Sequence, residues 1–558
     1  MERRIPQDIG DYPFDLIVVG GGINGVGTAR DAAMRGLKVL LLDKGDFGSG
    51  TTSWSSRLIH GGLRYLEFYE FYLVRESLSD REKLLRIAPH LVKPLLLAVP
   101  IYDHSSRDPA MIRLGMTLYD ALSFDKSMEH HKMLGREEAL KRFPGLNPEG
   151  LKAAAIYYDG QAEYAERLAV ENAISARNHG AVVLNYAKVT GAILENGSVR
   201  GVEFTDVLTG EQHAARASVT VNVAGPWVDE VLAGVKGGHT KRMMGGTKGS
   251  HLVVDPFPGA PGNEALYYEA ISDGRPIFVF PWNGRYLIGS TDLRYEGDLD
   301  RVVADDAEIE YIINETNALI PTANLTPDDV LFSYSGVRPL PYVADGAEAG
   351  ITRQHIIHDH AKDEEGIGGL ISVVGGKLTT YRNCSRQTVN MVYGKLGRKA
   401  PRCRTAEVPL PGGQTSDFGA FAAEFERASG LPEGLAGRLL KLYGARAPEV
   451  LDLAGDDPLL LSPLSSSDSA EPGVVGAEIL YAFKRELAQT LTDALHRRSM
   501  AGLGPKVGLD VDEAASEVAI RHLGWDRERA AREVREHRRY VERFRPHALA
   551  TARTIPNG

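Results

Sequence analysis

The sequence predicts an α/β protein that ends in an all-helical part, and three observations carry that reading. Within residues 14–43 a β-branched run, a helix of small residues and a second apolar run form one βαβ unit. Residues 181–223 and 250–293 show the alternation and turn signals of mixed or antiparallel strands. Past about Pro409 the apolar period becomes helical, as in 479–498 and 514–544.

Phe14-Asp-Leu-Ile-Val-Val-Gly-Gly-Gly22 reads as a buried parallel strand entering a tight turn. In the helix at 23–35, the small apolar residues Val26, Ala29, Ala32 and Ala33 suit close packing on a sheet. Gly36 ends it, and Lys38-Val-Leu-Leu-Leu-Asp43 is a second buried strand. Residues 45–63 are rich in Gly, Ser and Thr but carry embedded aromatic and basic side chains. A helix pattern at 68–88 follows, which points to a binding loop rather than a flexible linker.

Asn196-Gly197 signals a hairpin, and Pro226 falls near the first turn of a helix. Gly369-Leu-Ile-Ser-Val-Val-Gly-Gly-Lys377 is another buried strand running into glycines. Residues 462–472 are a Ser/Pro-rich surface loop. The ten Arg interleaved with Glu across 521–553 read as a solvated helix face laced with ion pairs.

Composition narrows the class. The 558 residues carry 64 Lys+Arg and 74 Asp+Glu, a net charge of −10 that argues against bulk nucleic-acid binding. Cys384 and Cys403, the two cysteines, exclude a disulfide scaffold and a tetrathiolate metal centre, and no metal site is expected. No run approaches the ~18 apolar residues of a spanning helix, and Met1-Glu-Arg-Arg-Ile-Pro6 leads into no apolar segment. A cytoplasmic protein is expected, with peripheral contact on the inner face of the cytoplasmic membrane left open.

Gly20-Gly-Gly22-Ile-Asn-Gly25 fits the dinucleotide fingerprint between strand and helix. Gly20 permits the turn, Gly22 admits a pyrophosphate and Gly25 packs helix on strand. Asp43, at the end of the second strand, is placed for ribose hydroxyls. The fingerprint occurs once, at the N-terminus, whereas flavoenzymes using NAD(P)H commonly carry a second copy. The expected cofactor is therefore bound FAD.

Several stretches resemble the FAD-dependent glycerol-3-phosphate dehydrogenase family, within the D-amino-acid-oxidase-like flavoproteins. They are Val18-Val-Gly-Gly-Gly-Ile-Asn-Gly25, Ser55-Ser-Arg-Leu-Ile-His-Gly-Gly-Leu-Arg-Tyr-Leu-Glu67, Ala88-Pro-His-Leu91, Asn222-Val-Ala-Gly-Pro-Trp227, Lys248-Gly-Ser-His251, Ser335-Gly-Val-Arg-Pro-Leu340 and Gly375-Gly-Lys-Leu-Thr-Thr-Tyr-Arg382. Tyr481-Ala-Phe-Lys-Arg-Glu486 and Leu495-His-Arg-Arg-Ser499 resemble the family's helical C-terminal domain.

The resemblance implies a glutathione-reductase-type, Rossmann-like FAD domain at 14–98, 156–232 and 336–400. A mixed or antiparallel-sheet substrate domain would occupy 99–155 and 233–335, with the helical domain at 405–545. It also implies oxidation of sn-glycerol 3-phosphate to dihydroxyacetone phosphate, with electrons passing to a membrane quinone. A homodimer is compatible with the sequence.

That chemistry needs a phosphate clamp, a base and support for a developing alkoxide. The family's phosphate-binding counterparts here are Arg64, Tyr65, Arg353 and Lys377. His251 ranks first as base and His60 second, while Arg338 would stabilise the alkoxide. FAD contacts carry over to Gly20, Gly22, Asn24, Gly25, Asp43, Thr51, Thr52, Ser53, Ser55, Ser56 and Arg57. Val189, Ala224 and Gly225 fall on the adenine side, and Gly376, Leu378 and Thr379 near the isoalloxazine. Asp43 departs from the glutamate common in this class, and its shorter side chain favours a water-mediated ribose contact.

Three rivals remain. An oxidase of the same architecture would use O2, but the long insertion associated with that branch is missing between 250 and 408. An amine or amino-acid oxidase would need one arginine for a carboxylate, not an Arg/Lys cluster. A non-catalytic flavin- or nucleic-acid-binding protein would not need the base and clamp.

Overall fold

The computed structural model describes residues 3–235, 241–344, 350–364, 366–455, 457–465 and 473–545. Most of the expected loop at 462–472 and the last part of the Arg-rich tail lie outside the described residues.

Two sheets organise the first 400 residues. The first has a parallel core in the order Leu370–Val374, Gln212–Asn222, Phe14–Val19, Val39–Leu42, Val182–Leu184. Where its strands pair in parallel they are almost wholly buried, as expected for a parallel sheet covered by helices. Helices Ile23–Met34, Ala165–Asn178 and Tyr381–Lys395 pack together against it. Gln212–Asn222 also continues into an antiparallel meander with Ser198–Asp206 and Ala187–Glu195. The turn between those two is Asn196-Gly197, both at positive φ (49° and 72°), as the sequence signals.

The second sheet is mixed and ten-stranded, built largely from antiparallel pairs. Thr247–Val254 lies between Arg285–Gly289 and Val330–Arg338, while Val92–Tyr102 and Leu151–Ala162 form its longest pair. The expected segment boundaries at 98/99, 155/156 and 335/336 fall inside these strands. Strand Leu58–Ile59, inside the expected 14–98 segment, also joins this sheet. The chain therefore changes sheet in the loops flanking these strands, because an apolar strand keeps one partner set along its length.

Two expected helices are broken, each for a local reason. The stretch 479–498 becomes Gly476–Arg485, Leu491–Asp493 and a π-turn at Ala494–Arg498. Leu487 sits at φ +63°, directly after Glu486, whose buried carboxylate is held by Arg167 and Arg446. The stretch 514–544 splits into Asp512–Leu523 and Arg527–Val541 at Gly524 (φ +72°), and Asp526 caps the second helix. The pattern at 68–88 likewise resolves into a 3₁₀ turn, Leu63–Phe68, and the helix Phe71–Ile87.

Buried ion pairs clip the helical domain to the loop that follows strand Val39–Leu42 of the first sheet. Arg497 and Arg498 both bind Asp46, at 2.6 and 2.8 Å. Burial alone would raise the Asp46 pKa, but Arg498 and Arg497 outweigh it and hold the carboxylate well below its usual range. Among the described residues, no helix is long and apolar enough to cross a membrane.

Candidate active site

A cavity of about 540 Å³ opens along the carboxyl ends of the parallel strands, where such sheets bind ligands. Thirteen of the expected site residues line it: Gly20, Gly22, Asn24, Asp43, Thr51, Thr52, Ser55, Val189, Ala224, Gly225, Gly376, Lys377 and Leu378. The glycine loop is built as the fingerprint requires. A Cβ on Gly25 would lie 1.8 Å from the Gly20 carbonyl oxygen, so only glycine lets the helix approach the strand. Gly22, by contrast, has only the Thr52 hydroxyl near its Cβ position, at 3.5 Å, which leaves room for a ligand.

Asp43 is tied to the loop itself. Its Oδ2 accepts from the Gly21 N–H at 2.5 Å and its Oδ1 from the Gly45 N–H at 2.7 Å. Burial nonetheless raises its pKa. Among the described residues, Asn24 Oδ1 and Trp227 Nε1 are buried without hydrogen-bond partners, and both residues line the cavity. Orphaned polar atoms beside a glycine cradle fit a polar dinucleotide cofactor.

Other expected cofactor residues stand behind the wall. Arg57 is fully buried and bidentate to Glu166 (2.7 Å to each oxygen), so it anchors the loop instead of lining the cavity. The Ser53 hydroxyl donates to the Gly48 carbonyl, the Ser56 hydroxyl pairs with His251 Nε2 at 2.8 Å, and Thr379 Oγ1 accepts from the His60 N–H. These short polar side chains satisfy buried backbone and imidazole groups. Sequence reasoning missed Trp54 and Trp227 as wall residues although they lie beside and within matched stretches, because only the fold shows which of those residues line the cavity. Tyr540 and Arg543, missed likewise, come from the distant tail and belong to no motif.

The expected substrate residues converge beside the Lys377 end. Lys377 Nζ donates to the carbonyls of His60 (3.1 Å) and Gly61 (3.3 Å) and to Ser77 Oγ (3.1 Å), and lies 4.6 Å from the Tyr65 ring centre. No carboxylate among the described residues lies within ion-pair distance of it, and burial pushes its pKa down to about 7. Burial raises the Tyr65 pKa against the pull of Arg353, Arg338 and Arg64 nearby. Arg64 is half-buried, 6.0 Å from the Phe68 ring centre.

Arg338 and Arg353 share one carboxylate, Asp292, at 3.0 and 3.1 Å. Burial pushes Asp292 up, but Arg338, a hydrogen bond from Thr247 and Arg353 hold it below the usual carboxylate range. The Arg338 guanidinium occupies the space above Gly249, where a Cβ would come within 2.4 Å of it. His251, two residues along the same strand, therefore shares a face with it. His251 stacks on Tyr334 at 4.9 Å, and burial followed by Arg338 and Arg57 depresses its pKa to about 3. Burial, Lys377 and Arg81 hold His60 well below the usual imidazole value. Asp292→Asn is expected to let the two guanidiniums splay, lowering kcat/KM about tenfold and reducing Tm, as loss of a buried charge partner does. Steady-state kinetics and a thermal melt check both.

His358, His360 and Asp363 bring three potential metal ligands within 4.8 Å of one another at the edge of the first sheet. The two imidazoles already bond to Asp363, so the group is satisfied as a hydrogen-bonded turn.

This fold and cavity define a flavin-dependent oxidoreductase. A family model described as FAD dependent oxidoreductase matches residues 15–382, and the C-terminal domain of alpha-glycerophosphate oxidase matches 403–530. The chain is 48% identical to a glycerol-3-phosphate dehydrogenase of Synechocystis, over 97% of this chain and 98% of that one. It is 39% identical to a D-erythritol 1-phosphate dehydrogenase of Brucella abortus, over 87% and 94%. A solved glycerol-3-phosphate dehydrogenase from Bacillus halodurans, complexed with FAD, superposes with a TM-score of 0.76 at 29% identity, covering 96% of each chain. The chain belongs to the FAD-dependent glycerol-3-phosphate dehydrogenase family, and FAD is its cofactor.

Proposed function

We propose that the protein oxidises sn-glycerol 3-phosphate to dihydroxyacetone phosphate and that the electrons leave to a membrane quinone. The observation that carries this reading is Lys377, a buried cation without a carboxylate partner among the described residues, beside Tyr65 and its neighbouring arginines. A dianionic phosphate supplies the charge such a site lacks, and guanidinium groups bind its oxygens in pairs. When bound, FAD supplies the two-electron acceptor that alcohol oxidation requires. Neutral His251 takes the C2 hydroxyl proton, and Arg338 supports the developing alkoxide. Asp292 holds Arg338 and Arg353 at a fixed separation, and Arg64, Arg353 and Lys377 fix the phosphate, with Tyr65 packed among them.

Anaerobic mixing with sn-glycerol 3-phosphate is expected to bleach the oxidised-flavin absorbance, and glycerol is expected to leave it unchanged. Reoxidation by a soluble quinone should outpace reoxidation by air. Bleaching by D-erythritol 1-phosphate alone would move the substrate to a longer polyol phosphate, and faster reoxidation by O2 would make the protein an oxidase.

The quinone reading draws on an exposed apolar face. Phe68, Tyr69, Tyr72, Met111, Leu114 and Phe124 are all more than 40% exposed. They sit on or beside the turn Leu63–Phe68 and the packed helices Phe71–Ile87 and Pro109–Leu122. The face begins four residues after Arg64, so it adjoins the substrate subsite. A patch of this kind suits a bilayer surface. The double variant Tyr72→Glu, Leu114→Glu is expected to lose co-flotation with phospholipid vesicles at least about tenfold while retaining anaerobic bleaching. Equal flotation of variant and parent would place any membrane contact elsewhere.

A further inference from the structure

The helical domain reaches into the dinucleotide cavity. Tyr540, on helix Arg527–Val541, and Arg543, in the turn Glu542–Phe544, line the same space as Gly20, Gly22 and Asp43. Their position is fixed from behind. Phe544 is fully buried, packs against Trp54 at 5.6 Å and Phe332 at 5.9 Å, and stacks on His496 at 5.3 Å. Trp54 is itself a wall residue, so this aromatic cluster ties the end of the last helix to the cavity.

The polar groups presented there are incompletely satisfied. Arg543 donates to the Asp300 carbonyl at 3.1 Å and lies 4.5 Å from the Tyr540 ring centre. Among the described residues no carboxylate comes within ion-pair distance of Arg543. The Tyr540 hydroxyl is buried and has no hydrogen-bond partner among them. Lys44, a cation on the same wall, is by contrast paired with Asp300 at 2.8 Å. Arg543, without a counter-ion among the described residues, and Tyr540, whose buried hydroxyl is orphaned among them, thus line the same cavity as the glycine loop. Burying an orphaned hydroxyl is unfavourable unless a ligand completes it.

We propose that Arg543 and Tyr540 are FAD-binding residues, Arg543 binding the diphosphate and Tyr540 donating its hydroxyl to a cofactor oxygen. The helical domain thereby closes the cofactor cavity and slows FAD release. This role requires only that FAD is the cofactor, so it stands or falls independently of the substrate and the electron acceptor.

The test uses full-length protein, deflavinated and reconstituted, with Arg543→Gln, Arg543→Lys and Tyr540→Phe. Release of FAD on dilution is followed by the rise in flavin fluorescence. Arg543→Gln is expected to release FAD about tenfold faster, the loss of a charge-assisted hydrogen bond, Arg543→Lys to fall between, and Tyr540→Phe to release it about threefold faster. The Tm of the flavin-free protein should stay unchanged, while the rise in Tm on adding FAD shrinks. ADP, which carries the diphosphate without the flavin, should protect the flavin-free parent more than adenosine does, and this advantage should vanish in Arg543→Gln. Arg539→Gln, on the exposed face of the same helix and paired with Glu536, should behave as the parent. Parental FAD release in Arg543→Gln and Tyr540→Phe would overturn the assignment. A lower flavin-free Tm with an undiminished FAD-induced rise would overturn it equally, since both residues would then serve only the packing of the tail.

Discussion

Lys377→Met is expected to give a folded, yellow protein whose kcat/KM for sn-glycerol 3-phosphate is about 10²- to 10³-fold lower. Truncating one partner of a buried charge pair costs about 2–5 kcal/mol, and among the described residues this lysine donates to two carbonyls and a hydroxyl but meets no carboxylate until substrate arrives. The same substitution should raise Tm. Burial holds the folded-state pKa of Lys377 near 7, below the 10.5 of a free lysine. A depressed lysine pKa means the fold opposes the ammonium form. That opposition is complete below pH 7 and fades as pH rises from 7 towards 10.5. The gain in Tm is therefore largest at and below neutrality. Binding follows the same logic with the opposite sign. The empty site loses its ammonium charge above pH 7 and a bound dianion restores it, so KM should rise between about pH 7 and 9 with proton uptake on binding. Half-saturation of flavin bleaching at pH 6.5 and 8.5 measures this. A KM equally flat in parent and Lys377→Met would remove Lys377 from the clamp.

The parts of the site legible in the sequence are those that one short motif both encodes and positions. The glycine loop and Asp43 could be read because a phosphate-binding turn needs a strand, three glycines and a helix in fixed order. The breaks at Leu487 and Gly524 were harder to see: helical period continues through both. What stops the first helix is the demand of a buried Glu486 for Arg167 and Arg446, partners 319 and 40 residues away. Arg57 shows what a motif leaves out. It sits in a matched stretch, yet its carboxylate partner Glu166 is 109 residues distant and draws it behind the wall. Asp292, which holds Arg338 and Arg353, has no motif at all, and its importance rests on two distances that only the fold creates.

His251→Gln is expected to retain FAD and near-parental half-saturation while kcat falls about 10²- to 10⁴-fold, the range for loss of a general base. The empty-site pKa near 3 leaves the imidazole neutral and able to accept a proton throughout the working range. It also makes the ring a weak base, for which Arg338 and Arg57 are partly responsible after burial. A dianionic substrate beside Arg338 offsets that field, so the imidazole gains basicity when substrate is bound. Stacking on Tyr334 and the 2.8 Å contact to Ser56 hold the ring in place, so the glutamine variant tests its basicity with little change of shape. His60→Gln should cost less than about tenfold, because the His60 backbone carries the bonds to Lys377 and Thr379 and survives the change. With both imidazoles depressed in the empty site, kcat/KM should show no imidazole limb between pH 5 and 8. A limb near pH 6.5 that disappears in His60→Gln and persists in His251→Gln would transfer the proton-accepting role to His60.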